Sequence, residues 1–296
     1  MPEDRGIRRS IGRLPSDLLE LVKPRIVLMV MVTVAAGFWM ASPSTTGVLA
    51  VFHLLLGTAM VAAGTNALNQ VAEWDVDRLM RRTRRRPIPS GRLKRSAAQT
   101  FAWLVGAGGV GYLAAFVGLL VSALAAMTLA SYVFVYTPLK RHTSLSTLIG
   151  AVPGALPIAG GWAAATGNLD LGAWVLFWIL FLWQLPHFLA LGWLYREDYA
   201  RADLKLLSRD DPSGRRTFGY ATVYAAALLP VSLLPAMLGI TGTPYFVGAL
   251  LLSGAFLIVN AGAARNSTPL NARRAFRMSL AYLPALLVLM VTSKGL

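Results

Sequence analysis

Nine apolar runs, each close to the roughly 20 residues that a helix needs to cross a bilayer core, dictate what this chain can fold into. They fall at about 25–42, 47–70, 97–116, 119–138, 146–166, 170–195, 218–239, 244–263 and 276–293. Inside lipid every backbone polar group must be satisfied within its own segment, so such runs become helices. The expected fold class is therefore all-α, a polytopic membrane protein with nine transmembrane helices in one domain over 25–296 and a basic leader over 1–24. Composition agrees: 56% of residues are hydrophobic and 14% charged, against about 25% charged in soluble domains.

A formal charge of +15 would suit a nucleic-acid binder, but the placement of the charge argues for membrane orientation and against nucleic acid. Of 28 Lys and Arg residues, 27 fall in the N-terminal stretch up to and including Arg25, in the loop 72–96, at Lys140 and Arg141, in 195–217 or in 265–277. These stretches all lie on one side of the nine runs, and only Lys294 lies on the other. Basic loops stay in the cytoplasm, which puts the N-terminus there and directs attention to the cytoplasmic helix ends. The leader carries Glu3, Asp4, Asp17 and Glu20 and lacks a small-residue cleavage site before Pro43, so it is not read as a signal peptide. With no cysteines, disulfides, thiolate nucleophiles and cysteine-ligated metals are excluded.

The stretch Asn66 to Gly91, NALNQVAEWDVDRLMRRTRRRPIPSG, holds the most chemistry. On a helix Asn69, Glu73 and Asp77 stand i, i+4, i+8 and share one face. Oxygen ligands so spaced suit Mg²⁺, which is held by one or two carboxylates plus substrate phosphates. Arg82 and Arg86 supply donors for phosphate oxygens, and Pro87 and Pro89 end the helix so that the arginine segment can fold back. The same carboxylates would also suit a structural cap paired with Arg78, Arg81 and Arg82. Both readings stand at this point, although polar groups at a membrane helix end are costly and usually functional.

Further candidates follow along the chain. Tyr136, Lys140 and Arg141 close the fourth run in YTPLKR, where an aromatic belt and topological anchors are the plainer reading. The fifth run carries Pro153, Gly154, Pro157, Gly160 and Gly161, which permit close packing or a broken helix lining a cavity. In WQLPHF, Gln184 and His187 are i, i+3, a polar pair that either satisfies a neighbouring helix or faces a site. Asp198 follows one turn beyond the membrane and could complete a second metal site, with Glu197, Asp203, Asp210 and Asp211 weaker candidates. His53 is read as structural, and the last three runs as scaffold.

Taken together, Lys23-Pro24-Arg25, Asn66, Asn69, Glu73, Asp77, Arg82, RPIPSGR from Arg86 to Arg92, YTPLKR, and WQLPHF with Asp198-Tyr199 resemble the UbiA-type intramembrane prenyltransferases, and within them the haem-farnesylating branch. The resemblance covers nearly all nine runs. It implies nine helices around a central cavity open to the cytoplasm, Mg²⁺ as cofactor, and farnesyl diphosphate and protohaem IX as substrates. It also implies residence in a bacterial inner membrane and partnership with terminal-oxidase assembly. Asn69, Glu73 and Asp77 would then hold the metal, and with His187 form the catalytic set. Asn66, Arg82, Arg86, Tyr136, Lys140, Arg141, Gln184 and Asp198 would bind substrate. The glutamate in the middle of the first motif matches the haem branch, while no regular DxxxD follows His187. Prenylation of an aromatic acid is the alternative chemistry, and transport of a lipid-linked or anionic solute the alternative class.

Overall fold

The computed structural model describes residues 14–42 and 47–295; Arg5, Arg8, Arg9, Arg13 and Pro43 lie outside the described residues. A short helix, α1 (Leu14–Val22), precedes α2 (Pro24–Ala41) and α3 (Val48–Ala72), and a single turn, α4 (Trp74–Asp77), follows α3. Next come α5 (Arg95–Phe116) and α6 (Leu119–Ala130), which runs on through a π-helical turn, Ser131–Tyr136, into Thr137–Leu139. The chain continues with α7 (Ser146–Thr166), α8 (Leu171–Leu194), the short α9 (Arg196–Arg201), α10 (Arg215–Met237), α11 (Thr243–Arg265) and α12 (Pro269–Thr292).

Long helices occupy all nine expected positions among the described residues. Eight are long and apolar enough to cross a membrane. The ninth, α5, has 22 residues, but Arg95, Ser96, Gln99 and Thr100 occupy its first two turns and lower its apolarity. Each long helix packs on its neighbour in sequence, and α12 returns to α2, closing a ring. The ring is tight where glycines meet. A methyl group on Gly64 of α3 would collide with the Gly106 backbone on α5, and one on Gly161 of α7 with the Val34 carbonyl on α2. A methyl group on Gly109 would come within 2.8 Å of the Val61 nitrogen, so Gly106 and Gly109 of α5 serve packing, whereas one on Gly111 would meet nothing within 4 Å.

Of the two readings open for α7, close packing and a broken helix, the first holds: it is continuous through Pro153 and Pro157, with Gly161 packed on α2. Helix α12 starts at Pro269, seven residues before the apolar run, because Thr268 Oγ1 caps the Asn271 N–H at 3.2 Å with Pro269 in the first turn. Arg273, Arg274 and Arg277 thus lie on a helix, not in a loop. The last three helices, read as scaffold, carry polar contacts of their own. Ser232, Ser253 and Tyr282 form a buried hydrogen-bonded chain at 2.8 and 2.9 Å, and the Tyr245 hydroxyl donates to the Ser232 carbonyl at 2.8 Å. Satisfied polar groups of this kind fix helix register where lipid gives no hydrophobic drive.

Candidate active site

The backbone at the end of α3 departs from the continuous helix expected, yet keeps its spacing. The helix stops at Ala72, Glu73 sits at φ −98°, ψ 12°, and α4 restarts at Trp74. The Glu73 N–H still bonds the Asn69 carbonyl at 2.9 Å, and the Asp77 N–H the Glu73 carbonyl at 2.8 Å. As a result Asn69, Glu73 and Asp77 all line one pocket of about 580 Å³. Arg82, Arg86, Tyr136 and Lys140 line it too, as do Lys23 and Tyr199.

Every acid here has a cation. Lys140 Nζ lies 2.7 Å from Glu73 Oε1 and Arg86 Nη1 2.7 Å from Asp77 Oδ2, with all four side chains largely buried. Burial alone would raise the Glu73 carboxyl and lower the Lys140 ammonium. Their mutual attraction outweighs it, holding Glu73 below and Lys140 well above their ordinary ranges. For Asp77 burial wins: its carboxyl is pushed up despite Arg86. Lys23 is pushed down to about 7, first by burial and then by Arg86. In the pocket lining five basic side chains, Lys23, Arg25, Arg82, Arg86 and Lys140, outnumber three carboxylates, Glu20, Glu73 and Asp77, the condition for receiving a polyanion.

A second cavity of about 290 Å³ lies deeper and is almost wholly apolar. Its walls run from Asn66 to Leu54 on α3, twelve residues and so about 18 Å at the helical rise, with Val30, Leu113, Val121 and Leu124 around them. Gln184 and Phe188 of α8 close one side. Gln184 fits because residue 154 is glycine; its Nε2 donates to the Ala151 carbonyl at 2.8 Å. Ile26, Tyr132 and Tyr136 line both spaces, so the charged pocket opens onto the apolar one at these side chains.

Not every candidate converges here. Arg141 makes a two-pronged pair with Asp75 at 2.7 and 2.9 Å and does not line the pocket. Buried Asp198 accepts from the Arg81 N–H at 3.2 Å and pairs with Arg201, tying α9 to the arginine segment. Val76 and Met80 pack there on Ala202 and Leu204. Asp211 turns inward to cap α10, accepting from the Thr217 N–H at 2.7 Å and its hydroxyl at 2.8 Å. His187 faces α12: its Nδ1 is 2.8 Å from Ser279 Oγ, and its ring packs between Trp183 and Phe276 at 5.4 and 5.0 Å. His53 bonds the Tyr112 hydroxyl at 2.6 Å and stacks on Phe116, a packing role as expected.

Among the described residues no three His, Asp or Glu side chains form a ready metal cage. Asn69, Glu73 and Asp77 offer two carboxylates and an amide on one wall of the pocket, and Asp77 Oδ1 is buried with no hydrogen-bond partner. Since Mg²⁺ takes few protein ligands and completes its shell with substrate phosphate, this donor set fits a metal that arrives with a diphosphate.

Lys23, named in the sequence only as part of Lys23-Pro24-Arg25 and given no site role, and Tyr132, not singled out at all, both line the pocket. Lys23 adopts a left-handed φ of 55° between α1 and α2, a strain of about 1 kcal/mol or more. Its Nζ lies 3.5 Å from Asn69 Oδ1. A lysine preceding proline at the head of an apolar run was the available signal. Tyr132 was hidden inside an apolar run, one π turn before Tyr136.

Residues 30–283 match the UbiA prenyltransferase family. A protoheme IX farnesyltransferase of Solibacter usitatus is 43% identical over 287 residues, covering 94% of this chain and 98% of that protein. One of Myxococcus xanthus is 42% identical, covering 94% of each. Among solved structures, a digeranylgeranylglyceryl phosphate synthase superposes with a TM-score of 0.79 at 16% identity, covering 94% of this chain and 97% of that one. A UbiA homologue from Archaeoglobus fulgidus, bound to GPP and Mg²⁺, gives 0.70 at 15%, covering 93% and 99%. A ring of membrane helices, a charged pocket opening onto an apolar cavity, and a match across most of the sequence agree: this chain belongs to the UbiA prenyltransferase family.

Proposed function

We propose that this chain transfers a farnesyl group from farnesyl diphosphate to a vinyl group of protohaem IX, with addition of water, giving haem O. The observation that carries the reading is the junction at Ile26, Tyr132 and Tyr136, where a cationic pocket meets an apolar cavity. An amphiphile with a polyanionic head and a hydrocarbon tail fits both at once. Relatives above 40% identity over nearly the whole chain carry the name of this reaction, which supports protohaem as the acceptor.

In this reading the diphosphate lies among Lys23, Arg86 and Lys140, with Arg82 at the pocket's outer edge over the Tyr195 ring, 5.4 Å away. Asn69, Glu73 and Asp77 would hold Mg²⁺, whose charge would polarise the diphosphate oxygens and stabilise them as they leave. Lys140, kept charged by Glu73, and Arg86, fixed by Asp77, face the oxygen on which charge develops. The apolar walls shield the other end of the breaking bond from water. The C1–O bond breaks with its electron pair going to the diphosphate oxygen. The vinyl π pair then forms the new carbon–carbon bond to C1, and the cation left beside the porphyrin takes up water and releases one proton. Protohaem approaches along α8, where Gln184 and Phe188 form the cavity wall; His187, on the same helix but against α12, would orient the macrocycle or stabilise charge.

The rim is assigned to the cytoplasmic side of a bacterial inner membrane, because 27 of 28 basic residues share its side. Helix α5 is assigned as the ninth span, since it packs along α3 and α6. A terminal oxidase that uses the modified haem is the implied partner. The test is to incubate purified protein with haem, farnesyl diphosphate and Mg²⁺ and take the mass spectrum of the haem. A farnesyl-plus-water adduct is expected; unmodified haem under conditions where farnesyl diphosphate binds would overturn the assignment.

A further inference from the structure

The π-helical turn Ser131–Tyr136 interrupts α6 where the two cavities join. π turns are rare and concentrate at functional sites, and this one is pinned. Thr137 Oγ1 donates to the Tyr132 carbonyl, five residues back, at 2.8 Å, and receives the Asn69 amide at 3.2 Å. The turn brings Tyr132 and Tyr136 together, ring centroids 5.0 Å apart at 60°.

The two rings are not equivalent. Tyr136 already carries a cation, with Lys140 Nζ 4.3 Å from its centroid, and its ring fills the notch left by Gly150. Tyr132 has no such partner among the cation–ring contacts of the described residues, and it lies one π turn deeper. With a diphosphate at Lys140 and Arg86 and its chain in the apolar cavity, the first carbons of the chain pass the Tyr132 ring.

We propose that Tyr132 is a catalytic residue whose ring face holds the allylic cation formed as the prenyl C1–O bond breaks. The inference rests on the prenyl-transfer reading above and assigns the two rings different cations: Tyr136 the permanent ammonium of Lys140, Tyr132 the transient carbocation. When the bond breaks, its electron pair leaves on the diphosphate oxygen, and positive charge spreads over C1 and C3. The ring forms no bond to it; its quadrupole lowers the energy of the cation until the acceptor's π pair forms the new bond. Cation–ring attraction is strongest where both partners are out of water, and the apolar walls provide that.

The test uses the full-length protein with farnesyl diphosphate, haem and Mg²⁺. Tyr132→Leu is expected to turn over at least tenfold more slowly than Tyr132→Phe, with the dissociation constant for farnesyl diphosphate equal in the two. Equal turnover in the two variants would overturn the proposal, as would a loss in Tyr132→Leu explained wholly by weaker binding. A series of mono-, di- and trifluorinated phenylalanines at position 132 keeps the ring's shape while draining its π face. Log kcat should fall stepwise along that series, and a flat series would overturn the proposal even if Tyr132→Leu failed to fold. Absence of prenylated haem from the wild-type protein would instead refute the prenyl-transfer reading itself.

Discussion

Glu73 and Lys140, 67 residues apart, are joined by a 2.7 Å charge-assisted hydrogen bond inside the pocket. Neither is freely solvated, so each charge is maintained by the other. Replacing Glu73 with Gln should therefore do two things. It should remove an oxygen proposed to bind the metal and leave a buried ammonium unpaired, a loss of about 3–5 kcal/mol when one partner of a buried pair is deleted. The double variant Glu73→Gln/Lys140→Met should recover most of the stability in a denaturation series but none of the activity. Recovery of both would reduce the pair to scaffolding.

Asp77→Asn is the cleaner probe of the metal assignment. Burial already disfavours the Asp77 charge, so neutralising it costs the fold less than the same change at Glu73. Mg²⁺-dependent turnover should nevertheless fall at least about 100-fold, since groups one layer further from a metal already reach 10- to 100-fold. An unchanged Mg²⁺ titration of turnover in Asp77→Asn would remove it from the metal site.

The sequence made the framework legible because bilayer thickness imposes run lengths and the helical repeat imposes spacing. Asn69, Glu73 and Asp77 were found through that repeat even though the helix breaks between them. What stayed hidden depends on which loop meets which. Nothing local in Arg141 says that it will grip Asp75, nor in Asp198 that it will receive the Arg81 N–H. Tyr132 was masked for another reason: inside a span, a cavity-lining aromatic and a lipid-facing one read alike.

His187 lies outside both cavity linings and leans on Ser279, Trp183 and Phe276. If it orients the porphyrin, His187→Ala should abolish the haem product while calorimetry shows farnesyl diphosphate binding retained. Loss of that binding instead would assign the residue to the diphosphate side of the reaction.

Asp211 should contribute to a loss of stability in acid. Burial opposes its ionisation, but the hydrogen bonds from Thr217 and Ser213 prevail and hold the carboxyl below its usual range. A carboxylate lowered in the folded state stabilises the fold above its unfolded value of about 3.9 and gives up that contribution as pH falls through the folded value. Thermal stability should thus decline below about pH 4. Asp211→Asn should be less stable at neutral pH by about 1–2 kcal/mol, as for other lost helix caps, with a shallower acid decline. Parallel pH curves for wild type and variant would show that another group sets the decline.

Leu113 lines the apolar cavity and is the residue expected to limit its depth. It is 1% exposed, lines the end remote from the charged pocket, and seats against α3 because residue 57 is glycine, where a methyl group would come within 2.6 Å of Leu113 Cδ2. Trimming it to Ala extends the cavity along the direction in which a longer chain would grow. Leu113→Ala should raise kcat/KM for the 20-carbon diphosphate relative to the 15-carbon one by about tenfold, within the range a hydrophobic pocket achieves for small changes in size. The expected cost in stability is about 2–5 kcal/mol, reduced when the longer chain fills the space. Leu104→Ala, on the same helix but 70% exposed, serves as the control and should leave the chain preference unmoved. An equal shift in both variants would mean that α5 acts through general loosening, and no shift in Leu113→Ala would place the floor of the cavity elsewhere.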